Sequence, residues 1–485
     1  MTRERELRFS AQMSDAEALM WNVEKDPWLN PSGAMIVIFD QPLDMDLFVE
    51  RMKVAVAKVP RLRERVQPGF GRLAPPMWAT DPEFDIGYHL RHIALPGAGT
   101  ERQLFDLCTR IYEDPFDRTR PLWNFTVIDG LEGGRGALFS KLHHSIADGI
   151  GAMRLSEIYI DLERDAAAPE PVDLDVVIAE AIAAEEADED RPESRTENLL
   201  RSAGHAFRRQ AGIVRRAAGE VAIWSADPLR ARDRAEDVAG VAKTALDQMT
   251  PDEEHASGSP LWADRSRHRR LEVVSLPLKK VKKAGKAMGG SINDVFVTGA
   301  ALGALRYHAD RDTPVDGLNA TFVVSTRTDN AIGGNSFTPV VLRIPGGIDD
   351  PKVLFDEMQE RMTARRDEVA QGGETLASLA GVANWLPTSV VTQMARARSS
   401  SIDFATSNMR GAPITTYVAG AQAERMIVMG PVAGTAMNIT TLSYDGTLEI
   451  GLFIDPVAVE DPSALRDCMD AAYADLFEAA GAGNG

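Results

Sequence analysis

The densest concentration of reactive side chains in the 485-residue chain is the run Lys141-Leu142-His143-His144-Ser145-Ile146-Ala147-Asp148-Gly149. A neutral imidazole, with an unperturbed pKa of about 6.5, can take a proton from a hydroxyl near neutral pH and hand it to a leaving thiolate. Base-catalysed acyl transfer is the chemistry this run suits. It lies where a strand pattern gives way to a helix expected from about Ile150 to Leu162. Successive side chains of a strand point to opposite faces, so His143 and His144 cannot easily serve one site. One should act on substrate and the other hold structure. Three other readings remain open on the residues alone. The pair could satisfy hydrogen bonds inside a core. With Asp148 it could ligate a metal, although adjacent histidines diverge and no fourth ligand is spaced nearby. Serine hydrolysis is served worst, because the chain has no Gly-x-Ser-x-Gly elbow and Ser145 lacks a glycine-flanked turn.

The elements that must carry these residues can be read from periodicity. Trp123 to Ile128 and Ala137 to His143 form strand-like runs around the turn-rich segment Asp129 to Gly136, a hairpin delivering both histidines to its far end. Ser14-Asp15-Ala16-Glu17 has capping-box spacing, and Met35 to Phe39 reads as a short buried strand. Leu47, Phe48, Met52, Ala55 and Val59 recur at helical spacing until Pro60 ends the helix. Farther on, Leu271 to Leu276 is a strand, Leu278, Val281, Ala284 and Met288 mark a helix, and an apolar helix runs from about Asn293 to Tyr307. Met437 to Tyr444 and Thr447 to Ile454 flank Asp445-Gly446, a strong hairpin signal. This length exceeds what one core usually supports. The expected division is a lobe over 1–165, a helical connector over 166–260 and a second lobe over 261–485. Within the connector, Leu200, Ala203, Phe207, Val214, Val221 and Trp224 make an apolar stripe accompanied by Arg201, Arg208, Arg209, Arg215 and Arg216. That pattern fits either an interfacial helix or one packed on the lobes.

Composition narrows the function further. A formal charge of -19 argues against nucleic acid as a partner. Cys108 and Cys468 are isolated, so neither a disulfide framework nor a zinc site is expected. The charged start Met1-Thr2-Arg3-Glu4-Arg5-Glu6 leads into no apolar signal core, and no uninterrupted apolar stretch of about 18 residues occurs. The expectation is a cytoplasmic protein.

Taken in order, these segments resemble the bacterial wax ester synthase/diacylglycerol acyltransferase family of the CoA-dependent acyltransferase superfamily. Residues 143–149 match its His-His-x-x-x-Asp-Gly motif, and Pro121-Leu122-Trp123 resembles its Pro-Leu-Trp motif. Ser291-Ile292-Asn293-Asp294-Val295, Ser325-Thr326-Arg327 with Gly333-Gly334-Asn335, Thr406-Ser407-Asn408, and Asn438-Ile439-Thr440 ahead of Ser443-Tyr444 resemble further landmarks in the same order. The resemblance spans nearly the whole chain apart from the connector. It implies a mixed α/β fold of two chloramphenicol-acetyltransferase-like lobes with a tunnel between them, acyl-CoA entering from one side and an alcohol from the other. It implies that His144 is the base and that Asp148 turns away to pair with an arginine, for which Arg327 is a candidate. Gly149 would keep the approach to His144 open. Asn293 would donate to the oxyanion or hold the tunnel wall, although its position also suits helix capping. Pro121, Trp123, Asp294 and Arg327 are expected around the substrates, the first two shaping the lobe or acyl pocket and Asp294 leaning to a structural role.

The activity implied is transfer of a long fatty acyl group from acyl-CoA, a substrate rather than a cofactor, to diacylglycerol. A fatty alcohol acceptor giving wax ester, a catalytically weak lipid-binding paralogue and an acyl carrier protein as donor are the alternatives. The expected partners are the two substrates and, peripherally, the inner membrane face or a lipid droplet. Arg267, Arg269, Arg270, Lys279, Lys280 and Lys283 are expected to form a basic surface for CoA phosphates. Two segments depart from the family. Pro31-Ser32-Gly33-Ala34 stands near where a Met-His-x-Gly segment is usual, and Asn408 is followed by Met409-Arg410-Gly411 rather than Pro-Gly. Both departures bear on acceptor and chain-length preference.

Overall fold

The computed structural model describes residues 9–68, 76–188, 258–325, 337–371, 380 and 388–481. Its strands, in chain order, begin with β1 (Ser32–Phe39), β2 (Glu64–Gln67), β3 (Met77–Thr80), β4 (Leu90–Ala94), β5 (Trp123–Leu131), β6 (Arg135–His143) and β7 (Arg270–Pro277). They continue with β8 (Gly317–Ser325), β9 (Phe337–Pro345), β10 (Phe404–Arg410), β11 (Tyr417–Val418), β12 (Ala421–Met429), β13 (Met437–Tyr444) and β14 (Thr447–Ile454). One six-stranded sheet has the order β11-β12-β1-β6-β5-β4, a second β7-β14-β13-β10-β8-β9, and β2 pairs with β3 alone. Parallel pairs join β4 to β5, and β10 to both β8 and β13, within otherwise antiparallel ladders. The mixed α/β, two-lobed architecture is the one expected.

Both expected hairpins form. β5 and β6 pair from Trp123↔Leu142 onward, and β13 and β14 turn at Asp445-Gly446, both in the left-handed region. The helix after the His-His run is shorter than its pattern, spanning Gly149–Ser156. It stops because tertiary partners capture the chain: Asp161 exchanges backbone hydrogen bonds with Tyr417, and its carboxylate meets Arg51 at 2.9 Å. The connector's first helix, Leu174–Ala187, is anchored where Glu185 accepts from the Thr80 N–H and hydroxyl. The amphipathic stripe over 198–224 lies outside the described residues.

Local pattern gave no signal of the crossover. After β10 the chain leaves the second sheet, lays β11 and β12 on the edge of the first, and returns as β13. β12 pairs with β1 from Ala34↔Met429 to Val37↔Met426, so a segment of the second lobe's sequence belongs to the first lobe's sheet. Between the lobes, Ile36, Ile38, Ile128 and Phe139 share a buried cluster with Leu104 and Cys108 of the helix Glu101–Glu113 and with Leu271 and Phe453 of the second sheet. Polar contacts fix the same seam. Arg102 donates to the Leu271 carbonyl at 2.7 Å, and Arg425 bridges Glu101 and Glu449.

The second lobe's core rests on the apolar helix Ile292–Ala309 against Pro462–Ala479. Close approach depends on two glycines. A Cβ on Gly299 would fall within the ring of Tyr473, and one on Gly303 would lie 2.7 Å from the Met469 Cα. Gly299→Ala should therefore destabilise the protein by about 2 kcal/mol, overpacking outweighing the gain of about 1 kcal/mol in helix propensity. Urea denaturation of the variant checks this.

Candidate active site

β6 ends at His143, and the two histidines diverge as strand geometry requires. His143 is fully buried. Its Nδ1 accepts the Ser145 N–H at 3.0 Å, which leaves the proton on Nε2, facing the Glu24 carboxylate at 3.4 Å. Arg118 reaches the same carboxylate at 2.8 Å and stacks on Trp21. Burial alone would raise the Glu24 pKa, but His143, Arg118 and Lys141 outweigh it and hold the group below the usual carboxylate range. Lys141, itself buried and lowered to about 8 chiefly by burial, donates to the Asp114 carbonyl. His143 is thus part of a buried ionic cluster that fixes the end of β6. Glu24 carried no sequence signal, because it lies at the end of an unrelated helix, Asp15–Val23.

His144 opens on a cavity of about 730 Å³ lined by both lobes. From the first lobe come Gly33, Met35, Leu142 and Gly149, and from the second Asn293, Val341, Asn408 and Thr440. Most lining side chains are apolar, among them Met20, Met153, Met394 and Val432. β1 passes directly beneath the imidazole, where a Cβ on Gly33 would stand 3.4 Å from His144 Nε2. Burial, reinforced by His143 and opposed by Asp148, lowers the His144 pKa to about 4. The ring is therefore neutral at physiological pH and able to accept a proton.

Asp148 also lines the cavity, but its Oδ1 accepts the Gly151 N–H at 2.8 Å and caps the helix Gly149–Ser156. Its proposed partner Arg327 lies outside the described residues, as do Thr326 and Gly333-Gly334-Asn335. Gly149 lines the cavity, and its nearest neighbour there is Met409. A Cβ there would press on Met409, 3.1 Å from Sδ. Met409 belongs to the segment that departs from the family, so both residues shape one wall.

Asn293 does not cap its helix. Ser291 does, in a reciprocal box with Asp294, and Asn293 is left on the cavity wall. Its Oδ1 accepts from Asn408 Nδ2 at 3.2 Å, which keeps its own amide N–H groups available as donors. Three residues expected near substrate stand elsewhere. Asp294 is buried in the capping box, with Arg366 at 3.3 Å. Trp123 is fully buried, donates to the Leu62 carbonyl at 2.8 Å and stacks on His89. Pro121 is buried beside it, its carbonyl accepting the Trp123 N–H. All three support the lobes and line no part of the cavity. The sequence reading missed Asn438 and Thr440 as a paired wall: Thr440 donates to Asn438 Oδ1 at 2.6 Å, where a side chain on Gly430 would collide. The basic surface also shrinks, because Arg269 is largely buried against Asp455 and Arg270 pairs with Glu272.

Comparison with known proteins agrees with this geometry. Residues 13–296 match the wax ester synthase/diacylglycerol acyltransferase catalytic domain, and residues 333–476 match the WS/DGAT C-terminal domain. A Mycobacterium tuberculosis H37Rv protein provisionally named a diacylglycerol O-acyltransferase is 29% identical over 98% of this chain and 93% of its own length. Another from that strain, named likewise, is 30% identical over 81% of this chain and 82% of its own. The solved wax ester synthase/diacylglycerol acyltransferase from Marinobacter aquaeolei VT8 superposes with a TM-score of 0.62 at 19% identity, covering 97% of this chain and all of that one. The first condensation domain of the calcium-dependent antibiotic synthetase shares the fold at a TM-score of 0.57 and 17% identity, covering 98% of this chain and 97% of that one.

Two substitutions test the local roles. Asp148→Ala should cost about 1 kcal/mol of stability through the lost cap, and Asp148→Asn less than half of that because asparagine caps comparably. Parallel denaturant titrations would read the difference. Gly149→Ala should displace Met409 and alter substrate KM, and adding Met409→Ala should restore it in the double variant, as steady-state kinetics would reveal.

Proposed function

Because the chain belongs to the wax ester synthase/diacylglycerol acyltransferase family, we propose that it moves a long fatty acyl group from acyl-CoA to diacylglycerol. The observation that carries this reading is a neutral histidine, His144, opening on a mostly apolar cavity that residues of both lobes enclose. Such a cavity suits two acyl-bearing substrates meeting at one base. The names of the mycobacterial relatives favour diacylglycerol as acceptor.

In the proposed reaction His144 takes the proton of the acceptor hydroxyl as its oxygen attacks the thioester carbonyl. The tetrahedral oxyanion is stabilised by an amide N–H of Asn293. Collapse breaks the carbon–sulfur bond, and the imidazolium returns its proton to the departing thiolate, leaving triacylglycerol and free CoA. Asp148 acts through the loop it caps, and His143 through the ionic cluster that holds β6. Water is kept from the thioester by the apolar lining.

Incubating the protein with labelled palmitoyl-CoA and equal amounts of diacylglycerol and hexadecanol should yield chiefly labelled triacylglycerol. Wax ester as the main product would assign the fatty alcohol as acceptor, and neither product would overturn the reading. His144→Ala should lower turnover by about 10² to 10⁴ while the protein stays folded. His143→Ala should chiefly lower stability. The pH profile is a separate check. A base titrating near 4 keeps kcat/KM nearly level from pH 7.5 to 5.5, whereas an unperturbed histidine would lose about tenfold over that interval.

A further inference from the structure

The helix Leu278–Ala287 is the most basic element among the described residues. It carries Lys279, Lys280, Lys282, Lys283 and Lys286 and no acidic residue. Val281, Ala284 and Gly285 are buried in the second lobe, while Lys279, Lys282, Lys283 and Lys286 recur at i, i+3, i+4 and i+7 on the opposite, exposed face. None of the five lysines makes an ion pair among the described residues. Elsewhere the chain supplies counterions freely, as at Arg51–Asp161, Arg102–Glu272 and Arg425–Glu449.

The arrangement is electrostatically costly to the protein alone. Like charges at three- and four-residue spacing repel, Lys279 and Lys280 stand at the positive end of the helix dipole, and Pro277 provides no side-chain cap. An external array of negative charge would relieve all three. Its four lysines lie on one exposed side of the helix, which matches a plane of phosphates better than a single small ligand needing converging donors. Its position also fits. The helix leads through Met288-Gly289-Gly290 straight to Ser291 and to Asn293 on the cavity wall.

We propose that the lysine face of Leu278–Ala287 docks the protein on anionic phospholipid and so brings the cavity to the surface holding its water-insoluble acceptor. The proposal rests on the reading of the protein as an enzyme of lipid substrates. No helix among the described residues is long and apolar enough to cross a membrane. The net charge of -19 opposes such contact at long range, but screening within about 8 Å at physiological salt lets the local stripe dominate.

Flotation of the full chain with vesicles of phosphatidylcholine alone, or mixed with phosphatidylglycerol, tests this. The wild type should partition onto the mixed vesicles and be released at about 1 M salt, where the screening length falls to about 3 Å. The variant Lys279→Gln, Lys282→Gln, Lys283→Gln, Lys286→Gln should bind on the order of 1,000-fold more weakly, and the matching Lys→Arg variant as well as wild type. Loss of self-repulsion should leave the glutamine variant at least as heat-stable as wild type, so misfolding would be visible. Equal partition of the wild-type and glutamine proteins would overturn the proposal. So would unchanged flotation accompanied by a raised KM for acyl-CoA in a vesicle-free assay, which would give the stripe to the CoA phosphates. Vesicle partition requires no turnover, so its outcome is separable from failure of the proposed acyl transfer.

Discussion

The site depends on β1 lying between β6 and β12. On one side, Gly33↔Leu142 and Ser32↔His143 set the register that stations a glycine beneath the His144 ring. On the other, Ala34↔Met429 brings the chain from the second lobe to the same strand, and Gly430 to Thr435 follow along the cavity wall. Register in a sheet buried on both faces cannot slip by one residue without turning every side chain over. The same ladder therefore holds His144, the floor under it and the wall opposite it. The excursion of β11 and β12 between lobes also makes the cavity an intramolecular seam rather than a gap between independent bodies.

Electrostatics divides the two histidines more sharply than strand alternation does. His143 lies over Glu24, Arg118 and Lys141, a buried group of charges whose mutual pairing offsets their desolvation. Removing any member would leave a buried charge uncompensated, so this cluster is stiff. His144, one residue on, faces an apolar cavity, and burial keeps it neutral. A rigid ionic cluster on one side of β6 and a neutral, desolvated imidazole on the other therefore stand one residue apart.

The cavity wall is built from side chains that lean on one another across the lobes. Met409 from β10 packs against the first lobe's apolar cluster beside Gly149, and Asn408 holds Asn293. A thioether is flexible and polarisable, so this wall can adapt to the chain it meets. Of the departure at Met409-Arg410-Gly411, Met409 thus lies in the lining itself. The lysine stripe, by contrast, stands outside the cavity, one short turn from Asn293, and addresses where the protein sits rather than what it holds.

Local patterning determined a good deal. The two hairpins, the Ser14 capping box, the apolar helix around Asn293 to Tyr307 and the divergence of His143 from His144 all follow from residue types a few positions apart. The ordered motifs identified the family, and with it the two-lobed fold. What the sequence left undecided involves partners far apart in the chain. Glu24 meets His143 across more than a hundred residues, and Asp161 ends a helix early by pairing with Tyr417. Pro121, Trp123 and Asp294 were expected near substrate because motif membership marks importance without direction. Burial and hydrogen bonding turned all three into the frame. Periodicity reports which face of an element is apolar, but only packing decides what that face meets, and the contacts that made the site were long-range.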